Sequence, residues 1–187
     1  MHVLLCVEAD AVTPRDGAGG ADDAGADDVG AGRGGAARAA ALAAAWRGAA
    51  PRCTVEPLVL PAAAPGPSHR PDGGTVPVGV FVPVTSLGLA NVSERVPAAT
   101  ALLRERVAEA DLVVVHVPVL DGETLHGGPV AAAAEAAAPH AVPVVLLAGR
   151  CEVSRREWSG AGLSGVHEVV GEEAVARVAR TWAPGWA

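Results

Sequence analysis

Within six residues, Asp121, Glu123, Thr124 and His126 bring together two carboxylates, a hydroxyl and an imidazole. A carboxylate beside a histidine can tune its basicity and orient its ring, so the set suits general acid–base work on a small polar molecule. Asp121 and His126 are the candidate catalytic groups, joined by Glu8 from the start of the chain. Thr124 and Gly127 are candidate substrate-binding positions in the same string. A structural role competes for Asp121 and Thr124: either can cap the next helix and take up a free backbone N–H. His126 equally suits a solvated loop position.

Other candidates follow other apolar runs. Glu8 and Asp10 close the first run, Ser86 follows Val84, and Arg150 follows Gly149 with Arg155 and Arg156 nearby. Arg150 could receive a phosphate, sulfate or carboxylate, although a solvated basic patch is the ordinary reading of such a cluster. Ser86 lacks the Gly-x-Ser-x-Gly surround of a hydrolase elbow. Gly17-Ala18-Gly19-Gly20 is not followed by Gly-Lys-Ser/Thr, so it is not a phosphate loop. Asp22, Asp23, Asp27 and Asp28 could pair on a cation such as Mg²⁺, but ordering so mobile a segment costs too much entropy. No metal site is expected, and no motif names a cofactor.

The elements that must position these groups alternate. Residues 3–8 are a short apolar run, and strands are also expected over 55–60, 112–117, 142–148 and 166–170. Such runs read as buried parallel strands. Helices are expected over 36–49, where Leu42 and Trp46 are four apart, and over 97–109, with Leu102, Leu103 and Val107 inward. Further helices are expected from Pro129 to Ala138, from Ser154 to Gly160, and from Glu172 to Trp182. A further strand is expected over 76–84. Residues 14–35 are Gly, Ala and Asp almost throughout and read as a flexible loop; residues 61–75 read as a Pro/Gly-rich loop. The expected fold is a single α/β domain over 1–187, with a doubly wound, mainly parallel sheet and helices on both faces.

Composition narrows the partners. The net charge is −7 and no basic stripe exists, which argues against nucleic acid. The three cysteines, Cys6, Cys53 and Cys151, have no metal-ligand spacing and fit a reducing compartment. The opening apolar run is too short for a membrane span and lacks a basic flank, so a cytoplasmic protein without membrane attachment is expected. The chain has no lysine; all 14 basic residues are arginine. Arginine is no substitute for a lysine amine in catalysis.

The string from Ala110 to Gly149 resembles the C-terminal part of bacterial glycerate kinases. The residues that carry the likeness are Ala110-Asp111-Leu112-Val113, Leu120-Asp121, Thr124, Gly127, Pro129, Val142-Pro143-Val144 and Leu147-Ala148-Gly149. The resemblance implies a glycerate-kinase-like α/β core. That family is about twice as long and carries an inserted second domain, for which this chain has no counterpart. The family's Gly-Glu-Gly-Arg stands here as His116-Val117-Pro118-Val119, and its Gly-Lys as Gly127-Gly128. A core that has lost these charged groups is expected to act as one subunit of a heteromeric enzyme on a small hydroxylated or anionic metabolite. In that reading another protein chain covers the open sheet rim. The alternatives are a non-catalytic partner that stabilises or regulates another protein, and an active ATP-dependent glycerate kinase.

Overall fold

The computed structural model describes residues 1–9, 28–61 and 98–183. The expected strand over 76–84, the bulk of the 61–75 loop, residues 14–27, Asp10 and Ser86 lie outside the described residues.

The elements run β1 (His2–Glu8), α1 (Asp28–Ala49), β2 (Thr54–Leu60), α2 (Ala98–Ala108), β3 (Leu112–Leu120), α3 (Gly122–His126) and α4 (Gly128–Ala137). A 3₁₀ turn (Ala138–His140), β4 (Val144–Cys151), α5 (Arg155–Gly160), β5 (Gly165–Glu168) and α6 (Glu172–Trp182) complete the chain. Every strand pairing is parallel, in the order β2-β1-β3-β4-β5. The Val- and Leu-rich runs form these strands because both faces of the sheet are covered.

Alternation along the strands sorts the core into two layers. Leu4, Cys6, Val113, Val115, Val117, Leu146 and Ala148 face α2 and α4. Val3, Leu5, Val7, Leu112, Val114, Val145 and Leu147 face α1 and α6. The sheet is therefore doubly wound, as its alternating pattern predicts. The chain leaves β1 toward β2 on one side and returns to β3 on the other. The carboxyl ends of β1 and β3 thus flank a topological switch point.

Helix α1 begins at Asp28, eight residues before the expected start, so 28–35 of the predicted loop is helical. Tertiary contact overrides the poor helix propensity of its glycines. A Cβ on Gly35 would lie 3.2 Å from both the Ala9 Cα and the Val59 Cγ1. The close approach of α1 to the ends of β1 and β2 requires that glycine. Trp46, one turn past Leu42, is fully buried under the same helix. In α2, Leu103 and Val107 are buried as predicted, whereas Leu102 is 38% exposed.

At the amino-end rim, polar groups of four elements meet. The His2 N–H donates to the Asp111 carboxylate (2.6 Å), and its Nδ1 faces the Glu109 carbonyl (3.1 Å). His2 Nε2 lies 3.3 Å from Glu56, whose other oxygen is 3.5 Å from the Arg106 Nε. This cluster ties β1, β2, α2 and the start of β3 together.

At the far edge, the Trp182 Nε1 donates to the His167 Nε2 at 2.9 Å, and the two rings meet edge to face. That bond needs a neutral imidazole with its proton on Nδ1. Burial lowers the His167 pKa from its ordinary value of 6.5. Below about 6.5 the unfolded chain takes up a proton that the folded chain resists, so stability falls with acid. Urea denaturation at pH 7 and pH 5 should show a larger loss for the wild type than for His167→Asn.

Candidate functional site

In doubly wound sheets, ligands bind outside the carboxyl ends of the strands, and in the strand order found here at the β1–β3 switch point. The candidate residues can be placed against that rim. Glu8 ends β1, and the pairing of Val7 with His116 continues to bring Glu8 level with Val117. Its carboxylate has no hydrogen bond or ion pair among the described residues. β3 runs on alone past β1, which is why Pro118 is tolerated inside it: with no β1 partner there, the missing N–H breaks no ladder on that side. Asp121 is four residues beyond the level of Glu8, about 13 Å at the rise of a parallel strand. The structure therefore does not bring these two carboxylates together.

Asp121 is the N-cap of α3, a five-residue helix inside what reads in the sequence as a polar loop. Its Oδ1 accepts the Thr124 backbone N–H at 2.8 Å. That bond first, then the Thr124 hydroxyl, lowers the Asp121 pKa below the usual carboxylate value. The cap and the charge act together, because an ionised oxygen is the better acceptor at a helix N-terminus. Stability from this contact is present above the carboxylate range and is lost as pH falls through the lowered pKa. Asp121→Ala should accordingly destabilise the chain at pH 7, and the difference should vanish near pH 2. Asp121→Asn, which keeps an acceptor, should lose less at pH 7. Thermal melts of the three proteins at both pH values check this.

His126 ends α3 and is exposed. No hydrogen bond or ion pair joins it to Asp121; its acidic neighbour is Glu157 on α5. The Ser154 hydroxyl and backbone lower the Glu157 pKa most, and the His126 charge adds to them. Ser154 and Glu157 form a capping box, with bonds of 2.7 and 3.4 Å. The Ser-x-x-Glu spacing carries this signal in the sequence. The β3–α3 and β4–α5 connections therefore lie side by side. Gly127 separates α3 from α4, and a Cβ there would come within 3.1 Å of the Glu123 carbonyl.

Arg150 lies opposite Val119 across β3 and β4, exposed, and its guanidinium pairs with Glu152. Arg155 and Arg156 are exposed on α5. The Cys151 N–H donates to Glu168 at 2.8 Å, which ties β4 to the end of β5. Cys6 is buried in the core, where burial and then the Glu56 charge push its thiol up to about 12, leaving it inert. Among the described residues, no three His, Cys, Asp or Glu side chains converge as a cation would require.

His116 is the position that sequence reasoning undervalued. It lies at the switch point, half-buried, and its Nδ1 is buried without a hydrogen-bond partner. Burial first, then the charge of Arg38 on α1, lowers its pKa from the ordinary 6.5. An Arg in an Ala-rich helix carries no sequence signal of such a contact.

Fold and rim together define a doubly wound α/β protein with its polar, partly unpaired groups at the carboxyl ends of the strands. Residues 82–183 match the glycerate kinase family, over half of the chain, and the chain belongs to that family. It is also 34% identical over 82 residues to an uncharacterized protein of Mycobacterium bovis and, to the same degree, to one of Mycobacterium tuberculosis. The aligned part is 41% of this chain and 22% of each relative. No helix among the described residues is long and apolar enough to cross a membrane.

Proposed function

We propose that the chain binds a small hydroxylated or anionic metabolite at the carboxyl-end rim of β1, β3 and β4, as one subunit of a heteromeric enzyme. The reading rests on the groups gathered at the carboxyl-end rim. At the carboxyl end Glu8 has no partner among the described residues, the His116 Nδ1 is orphaned, and His126 is exposed. Membership of the glycerate kinase family supports a hydroxy acid as the substrate class.

In this reading Asp121, ionised at neutral pH, accepts a substrate hydroxyl through the oxygen that its cap leaves over. His126 exchanges protons with the substrate, while Thr124, Gly127 and Arg150 hold it; Glu8 lies too far along the rim to share it. Asp10 and Ser86 are further candidate substrate-binding residues in this reading. His126, Pro118, Gly149 and Arg150 on this rim are exposed, and transfer chemistry needs water kept away from the reacting groups. A second chain seated over the rim provides that wall.

The test is to purify the chain with its associated proteins and to assay glycerate, with and without ATP and Mg²⁺, by mass. The complex should turn the substrate over and the isolated chain should not. Asp121→Ala in an intact complex should lower turnover roughly 10²- to 10⁴-fold. Full activity of that variant would remove the catalytic assignment. Full activity of the isolated chain would remove the partner.

A further inference from the structure

α1 and α6 pack side by side on one face of the sheet, and a groove of about 270 Å³ lies between their outer surfaces. Its apolar lining is small: Ala45, Gly48 and Ala49 in the last turns of α1, and Ala176 in α6. Charge borders it at both ends of α6, with Glu172 and Glu173 in the first turn and Arg180 in the last. On α1 the surface continues without charge through Ala40, Ala41 and Ala44, all exposed. An apolar surface rimmed by polar groups is the usual mark of a contact surface.

Glu173 and Arg180 are exposed, and neither has a hydrogen bond or ion pair among the described residues. Seven residues apart on one helix, they are separated by a rise of about 10 Å and do not reach each other. The helix dipole explains why the acid comes first and the base last. It does not explain why both border the concave side. Arg177, also exposed, does not line the groove.

These charges complement themselves when one copy of the chain is turned end for end against another. Ala176 stands midway, three residues after Glu173 and four before Arg180. Two α6 helices that cross antiparallel at Ala176 set Glu173 opposite the partner subunit's Arg180, and a two-fold axis makes the same contact again. Small side chains at the crossing let the helices approach closely.

We propose that this groove is a homodimer interface, in which two copies of the chain pack α6 against α6 about Ala176 and make the Glu173–Arg180 pair twice. The inference uses no residue of the proposed metabolite site and does not depend on it.

Sedimentation velocity of the full chain reads the assembly. It is run at physiological salt, because a net charge of −7 makes two copies repel and salt screens that repulsion. The wild type should sediment as a two-chain species at micromolar concentration. Glu173→Arg and Arg180→Glu each set like charges opposite one another at two places, so each should raise the dissociation constant roughly tenfold or more. An equal mixture of the two variants should recover the two-chain species, since each carries the charge that the other lacks. The double variant should recover it as well. Recovery needs folded chains on both sides, so misfolding cannot imitate it. A wild type that stays monomeric overturns the inference. A dimer that neither reversal weakens, or a mixture no tighter than its parts, overturns it too.

Discussion

Replacing Trp46 with alanine is expected to destabilise the chain by roughly 3–5 kcal/mol, the range for emptying a large aromatic site in a core. Trp46 is 0% exposed and packs in the layer between the sheet and α1 and α6, among Val3, Leu5 and Val55. For a chain of this size each kcal/mol moves the melting midpoint by about 2–4 °C, so the loss should exceed 6 °C. Trp46→Phe should cost much less. It leaves a smaller cavity, and it removes an indole N–H that is buried without a partner. Thermal melts followed by circular dichroism suffice. A loss below about 1 kcal/mol for Trp46→Ala would mean that α1 does not depend on this anchor.

Gly149→Ala is expected to cost about 1–3 kcal/mol, the usual penalty for forcing an extra carbon into a packed site. The added Cβ meets the Pro118 carbonyl at 2.6 Å, and neither backbone can rotate away while β3 and β4 stay paired on either side. The strands must part where Gly149 meets Pro118, so stability falls. Gly122→Ala is the control, because nothing lies within 4 Å of its Cβ position. Its stability should stay within about 0.5 kcal/mol of wild type. Equal behaviour of the two variants in urea denaturation would contradict the close approach of β3 and β4.

Much of the fold was legible because parallel strands buried on both faces leave unbroken apolar runs. Leu112–Val115 and Val144–Ala148 announce themselves in this way. The start of α1 was not legible. Its first turns are Gly and Ala without periodicity, and what holds them is contact with Ala9 and Val59, distant in sequence. Nor was α3, whose five residues are too few to show a helical period and whose only signal is the Asp121–Thr124 cap.

The candidate site was legible by residue type and not by arrangement. Asp121 and Thr124 do meet, through the cap that competed with catalysis as their explanation. The distance between Glu8 and Asp121 depends on how β1 and β3 pair, and local sequence does not encode that register. His116 looks like one polar interruption in an apolar strand. Its orphaned nitrogen arises only when β1, β4 and α1 close around it.

The central claim is that the carboxyl-end rim is where this member of the glycerate kinase family takes its small ligand. Mapping backbone amide shifts of the full chain during a glycerate titration tests it most directly. The account predicts saturable shifts confined to Glu8, residues 116–128 and residues 149–157, with the amino-end cluster around His2 and Glu56 unmoved. Shifts centred on that amino-end cluster, or none at any residue, would contradict it.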